Sequence, residues 1–239
     1  MKKISTEFID VAGARIAYIR CGSGPALILL HSNSSSKAEF SRYQREYFAD
    51  FDTLAIDSRG HGQTISPAAD FNFDRYSDDV LAVCTGLGIN EANVIGYSDG
   101  GNLALHLAKK APQVFKKIIA ISPNYLASGL NEKSLRVIQT AVKIASFLGR
   151  LGLPTKRFVM RLELMANDIG LNEADLQSIH TNVKILYAEH DLIQEVHILK
   201  IAGLIPHCGL QKIMGSNHLT IFNRKETLTS MRDYFGSPA

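Results

Sequence analysis

Val94-Ile95-Gly96-Tyr97-Ser98-Asp99-Gly100-Gly101-Asn102-Leu103-Ala104-Leu105 decides how this chain reads. A short apolar run enters Gly-x-Ser-x-Gly, and a helical pattern leaves it, with Leu103, Leu105, Leu107 and Ala108 among polar positions. A strand that turns this abruptly into a helix pushes the side chain at its apex out of the fold. The flanking positions must then lack a β-carbon, a requirement that Gly96 and Gly100 meet. Ser98 becomes a presented alcohol. The backbone N–H of Asp99 comes to a helix N-terminus, where it can stabilise a developing oxyanion. Two glycines and a serine can also arise by chance, so partners elsewhere in the chain decide the matter.

Outward from this stretch, strand and helix patterns alternate. Residues 4–10 and 14–20 flank Val-Ala-Gly and predict an antiparallel hairpin. Gly22-Ser23-Gly24-Pro25 leads into Ala26-Leu27-Ile28-Leu29-Leu30, an apolar run expected of a strand buried on both faces. A helix is expected over 37–48, a strand over 51–56, a helix over 75–88, and a strand over 93–97 ahead of a helix over 99–110. A strand follows at 117–121. After residue 181 the alternation resumes with strands at 183–187 and 210–213 and helices at 194–203 and 222–235. This order implies a mostly parallel sheet with helices on both faces.

Between 124 and 181 the alternation stops. Two helical patterns, 131–150 and 155–168, are separated by Gly149, Gly152 and Pro154, and the first has its own apolar face of Leu135, Ile138, Val142, Ala145 and Leu148. Residues 124–181 therefore read as a helical insertion, leaving 1–123 and 182–239 as the core. From 131 to 164 there are seven basic residues and two acidic ones, a surplus larger than the whole chain's net charge of +3. Arg136, Lys143 and Arg150 are seven apart and form one stripe. Such a stripe is most often a solvated face, and it also fits an anionic substrate or a membrane edge.

The 239 residues are enough for one domain with a sizeable core, and 46% hydrophobic with 21% charged describes an ordinary globule. A net charge of +3 gives no reason to expect nucleic acid. Lys2 and Lys3 have no apolar run behind them, so no secretion signal is expected, and no run is long enough for a membrane span. Cys21, Cys84 and Cys208 lie far apart and are odd in number. They form neither a disulfide framework nor a metal-ligand spacing, which suits a reducing cytoplasm. Gly22-Ser23-Gly24 precedes a strand rather than a helix and so does not read as a dinucleotide site.

An alcohol is a weak nucleophile at neutral pH and needs a general base, itself held in one tautomer by a carboxylate. In sheets of this kind functional groups collect at the carboxyl ends of strands. Asp191 follows the strand at 183–187, and His218 follows the strand at 210–213. The order Ser98, Asp191, His218 is the one expected with this type of elbow.

With these pieces together, the chain resembles the α/β-hydrolase fold family over nearly its whole length, most weakly in the insertion. Leu29-Leu30-His31-Ser32-Asn33, Asp57-Ser58-Arg59-Gly60-His61-Gly62, the elbow, Ala188-Glu189-His190-Asp191 and Ser216-Asn217-His218 carry the likeness. It implies an eight-stranded sheet, a lid at 124–181, and the backbone N–H of Asn33 as a second oxyanion donor beside that of Asp99. The family usually has His-Gly where this chain has His31-Ser32, and glycine is common where Ala188 stands. Some members place the acid after the sixth strand, but Ser122-Pro123-Asn124 offers no carboxylate there.

Other titratable residues have plainer readings. Glu189 is nearer its strand than Asp191 and reads as a loop charge; His31 and His61 read as structural; His106 lies within a helix; and His180, His197 and His207 lack a suitable position. His190, Asp191 and His197 repeat no ligand spacing, so neither metal nor cofactor is expected. Asp99 either tunes the site or favours its helix N-terminus by charge.

The resulting expectation is a cytoplasmic serine hydrolase with a small-molecule acyl substrate, acting first of all on carboxylic esters. Cleavage of a carbon–carbon bond, thioester hydrolysis and perhydrolysis use the same constellation. A ligand-binding member without turnover is the competing class. The acyl and leaving groups and the oligomeric state stay open at this point.

Overall fold

Alternate residues of the central strands serve two different cores. In Ala26–Leu30, Leu27 and Leu29 pack with Phe40, Phe48 and Phe51, whereas Ile28 and Leu30 pack with Val80, Val83 and Leu103. The period of two along a pleated strand sends successive side chains to opposite faces, so an unbroken apolar run needs cover on both.

The computed structural model describes residues 5–67, 69 and 71–236. Ile4, included in the expected first strand, lies outside the described residues. Among those residues eight strands form one sheet: β1 Glu7–Val11, β2 Ala14–Cys21, β3 Ala26–Leu30, β4 Asp52–Ile56, β5 Ala92–Tyr97, β6 Phe115–Ile121, β7 Asn182–His190 and β8 Cys208–Asn217. Their order is β1-β2-β4-β3-β5-β6-β7-β8, antiparallel from β1 to β4 through β2 and parallel for every other pair. The helices are α1 Ser41–Glu46, α2 Phe73–Gly86, α3 Asp99–Lys110, α4 Glu132–Arg150, α5 Lys156–Ala166, α6 Glu173–Gln177, α7 Glu195–Leu204 and α8 Lys225–Phe235. Tyr43 of α1 and Leu228 and Met231 of α8 cover one face; Val80 of α2, Leu105 of α3, Leu176 of α6 and Ile201 of α7 cover the other. None of these helices is long and apolar enough to cross a membrane.

Several boundaries differ from the sequence-based expectation for local reasons. The segment expected as one helix from 37 begins as a 3-10 turn, Lys37–Phe40, capped by Ser36, before α1. The last helix likewise starts as a 3-10 turn, Ile221–Asn223, ahead of α8. β7 and β8 run on through polar residues to His190 and Asn217, because His190 still pairs with Asn217 across a register shift. α6 was not anticipated: five residues show no apolar period, and its mark is the capping box between Asn172 and Asp175.

The chain order reverses around β3, which has β4 on one side and β5 on the other. A crevice forms at such a switch point outside the carboxyl ends of the strands. Leu30 is in register with Gly96, so the loop leaving β3 stands beside the turn leaving β5.

Candidate active site

Ser98 sits between β5 and α3 with φ +55° and ψ −116°, a conformation that L-residues rarely adopt. Close backbone packing enforces it. A β-carbon on Gly96 would stand 2.0 Å from the Gly100 carbonyl oxygen, and one on Gly100 would stand 2.0 Å from that of Leu30. The turn is pinned by Ser98 N–H donating to Ile121 O at 2.8 Å and Asn102 N–H donating to Ser98 O at 3.0 Å.

β8 delivers His218 and β7 delivers Asp191. His218 Nε2 is 3.0 Å from Ser98 Oγ, and His218 Nδ1 is 2.6 Å from Asp191 Oδ1. The side chains of His218 and Asp191 are 8% and 2% exposed, so the contact is shielded from bulk water. Tyr97 donates its hydroxyl to His218 O, tying the histidine backbone to the end of β5. Asp191 Oδ2 accepts from Ala188 N–H at 3.0 Å and from the Ser122 hydroxyl at 2.5 Å, while Oδ1 also accepts from Ile193 N–H at 3.2 Å. Burial works to raise the Asp191 pKa, but the hydrogen bond and charge of His218, with the bonds from Ser122 and Ala188, hold it below the ordinary value. Glu189 instead accepts from Gly215 N–H at 2.7 Å.

The loop leaving β3 is clamped at several points. His31 Nε2 accepts from Ser58 N–H at 3.1 Å, and its Nδ1 lies 2.7 Å from Ser32 O, so the proton belongs on Nδ1. Burial lowers the pKa of His31, and it lowers that of His61 to about 3. Glu39 accepts from Ser32 N–H at 2.9 Å and from the Ser32 hydroxyl at 3.0 Å. Further along, the buried Lys37 ammonium meets Asp57 Oδ2 at 2.6 Å, and Asp57 also accepts from the backbone N–H groups of Lys37 and Gln63.

Asn33 and Asp99 come together through their side chains. Asn33 Nδ2 donates to Asp99 Oδ2 at 2.7 Å and to the Arg161 carbonyl oxygen of α5 at 2.8 Å. Desolvation pushes the Asp99 carboxyl up to about 6, with the Asn33 hydrogen bond and the charge of His218 acting the other way. Among the described residues neither the Asn33 nor the Asp99 backbone N–H has a hydrogen-bond partner. A cavity of about 320 Å³ lies between the start of α2 and the end of α5, lined by Phe71, Phe73, Leu164 and Ile169 together with the polar Asn72, Glu163, Asn167 and Asp168. Phe73 also lines the small space behind His31, Asn33 and Asp99. Among the described residues, no three His, Cys, Asp or Glu side chains group as metal ligands.

Ser98, Asp191 and His218 thus meet, with Asn33 and Asp99 paired beside them. Sequence reasoning passed over three contributors. Ser122 was visible only as the lack of a carboxylate, Glu39 lay in an ordinary helical pattern, and nothing local marks the Tyr97 hydroxyl for His218. The other histidines are placed elsewhere. His106 Nε2 lies 2.8 Å from Ile169 O, and His197 Nε2 accepts from Tyr125 N–H at 3.2 Å.

Comparison with known proteins agrees with this architecture. A family profile described as alpha/beta hydrolase fold matches residues 25–146, just over half of the chain. An uncharacterized protein of Mycobacterium bovis is 29% identical over 125 residues, which cover 52% of this chain and 37% of that protein. The 2-(acetamidomethylene)succinate hydrolase of Mesorhizobium japonicum is 27% identical over 113 residues, 47% of this chain and 41% of that protein. The match thus spans well under half the length of either relative. Carboxylesterase CesB of Bacillus subtilis superposes with a TM-score of 0.79 over 98% of this chain and 92% of its own, at 18% identity. At that identity the likeness is one of fold.

Proposed function

The chain belongs to the alpha/beta hydrolase fold family, and on that premise we propose that it is a serine hydrolase cleaving carboxylic esters of small molecules. The observation that carries this reading is the contact chain from Ser98 Oγ to His218 Nε2 at 3.0 Å and from His218 Nδ1 to Asp191 at 2.6 Å. In the first step His218 Nε2 removes the Ser98 proton as Oγ bonds to the acyl carbon, and the carbonyl π electrons move onto oxygen. The Asn33 and Asp99 N–H groups hold that oxyanion. Its collapse breaks the bond to the alcohol, which leaves with the proton from His218. Water, deprotonated by His218, then attacks the acyl-serine by the same route, releases the acid and regenerates Ser98.

Asp191 accepts the Nδ1 proton throughout. It fixes the tautomer that leaves Nε2 basic and stabilises the imidazolium, and its lowered pKa keeps it ionised. We place the larger substrate group in the cavity between the start of α2 and the end of α5, where Phe73 also borders the small space at Asn33 and Asp99, with residues 124–181 as the lid over it. Three free cysteines favour a cytoplasmic setting.

The test is Ser98→Ala. Hydrolysis of p-nitrophenyl esters and labelling by a fluorophosphonate should both disappear while circular dichroism is unchanged. Wild-type protein that neither labels nor turns over would identify a binding protein of this fold, and turnover retained in the variant would move the nucleophile elsewhere.

A further inference from the structure

Helix α4 turns little of itself inward. Of its nineteen residues only Ile138 and Ala145 are buried. Outward lie Val137, Ile144 and Leu151, spaced by seven and 62%, 56% and 65% exposed, with Phe147 at 59%. Leu153, in the turn after α4, and Phe158, in the first turn of α5, are exposed as well. Among the described residues thirteen large apolar side chains are exposed, and six of them fall between 137 and 158. Scattered exposed apolar residues are ordinary, but such a concentration marks a surface kept for contact.

A basic row runs beside it. Arg136, Lys143 and Arg150 each precede a member of the apolar row by one position, which sets them about 100° around the helix. All three are exposed. Arg136 meets Glu132 at 3.1 Å in a pair almost wholly in water, and among the described residues Lys143 and Arg150 form no salt bridge. Arg157 and Arg161 are occupied differently, donating to Ser66 O and Gly60 O and fastening α5 to the loop after β4. The outward charge of the segment therefore belongs mainly to α4.

We infer that the outward face of α4 docks on an anionic lipid surface, the apolar row entering the interface and Arg136, Lys143 and Arg150 meeting the headgroups. A helix with one apolar stripe edged by cations lies in the plane of such an interface. Charge argues against a second copy as occupant. A two-fold contact through this face would bring together two segments that each hold seven basic and two acidic residues between 131 and 164. A nucleic acid would satisfy the cations but leave the apolar row in water. This docking is independent of hydrolysis and concerns a surface the candidate active site does not use.

Co-sedimentation of the full chain with vesicles tests it. Wild-type protein should pellet with vesicles of equal parts phosphatidylglycerol and phosphatidylcholine, stay in solution with phosphatidylcholine alone, and detach as salt is raised. Arg136→Gln/Lys143→Gln/Arg150→Gln should weaken partitioning about 100-fold, on roughly a factor of five for each cation at the surface. Val137→Ser/Ile144→Ser/Leu151→Ser should weaken it at least about tenfold. Both variants change exposed positions, and their thermal melts should match wild type. Wild-type protein that ignores the anionic vesicles would overturn the inference. So would an apolar-row variant that binds as wild type does, or a wild-type dimer that the same variant converts to monomer.

Discussion

Ser122 donates its hydroxyl to Asp191 at 2.5 Å from a backbone held at φ +51°. The residue directly follows β6 and is anchored by its N–H to Leu186 O of β7 at 2.8 Å, so the left-handed turn aims Oγ at the carboxylate just beyond β7. Ser122→Ala and Ser122→Gly both remove this donor and should lower kcat by about tenfold or more with little change in KM, the effect of losing one hydrogen bond to a charged acceptor, on the order of 1.5 kcal/mol. The two should separate in urea melts. Glycine tolerates the positive φ and alanine does not, so Ser122→Gly should be the more stable by about 1 kcal/mol. Equal stability would mean the turn is unstrained, and unchanged kcat in both would remove Ser122 from the site.

Asp191→Asn should reduce kcat by about three to four orders of magnitude, because an amide can hold the imidazole in the wrong tautomer and cannot stabilise its cation. Glu189→Gln should stay within about twofold of wild type, since that carboxylate bonds to Gly215 N–H and not to His218. Steady-state kinetics on one ester compares the two. Equal losses would reassign the acid.

Glu39 holds both the N–H and the hydroxyl of Ser32, next to the proposed oxyanion donor at Asn33. Glu39→Ala should free that peptide and lower kcat about tenfold while KM changes little, as expected for a group that orders a donor used only in the transition state. Glu39→Gln keeps an acceptor for Ser32 N–H and should restore most of the rate. A loss in KM alone, or no rescue by glutamine, would point to a different role.

Burial pushes the Asp99 carboxyl up to about 6 in the fold, above the ordinary aspartate value of 3.8. Between about pH 4 and pH 6 the folded protein keeps a proton that the unfolded chain has released, so this group's contribution makes stability fall as pH rises through that window. Above it the full penalty remains, on the order of 2 kcal/mol after allowance for the side chain's residual contact with water. Asp99→Asn removes the titration and still accepts from Asn33. Relative to wild type, the variant should therefore be more favoured near pH 8 than near pH 4 by about that amount in urea melts. A pH-independent difference would show that Asp99 carries no raised pKa.

What was legible in the sequence was whatever local chemistry marks. Gly96 and Gly100 bracket Ser98 because backbone packs on backbone there, and glycines leave a visible pattern. The apolar runs of β3, β5 and β6 are equally plain, since burial on both faces excludes polar residues. Ser122 was not legible as a partner of Asp191. Its aim depends on a positive φ and on the neighbouring strand 69 residues away in sequence. Glu39 escaped because a 3-10 turn, not the expected helix, returns its carboxylate to Ser32. The ends of β7 and β8 escaped because their last residues pair through the backbone while their side chains are polar.

One side-chain amide, that of Asn33, is divided between the Asp99 carboxylate and the Arg161 carbonyl. The loop after β3, the start of α3 and helix α5 therefore meet at a single nitrogen. Exchanging residues 124–181 for the corresponding stretch of another protein, a common route to chimeric enzymes, is on this account never a two-part graft. A donor segment that brought no backbone carbonyl to the place of Arg161 would leave half of that amide's bonding unmet beside Ser98. The breeder of such chimeras would have to select the loop and the helix together, as one heritable unit.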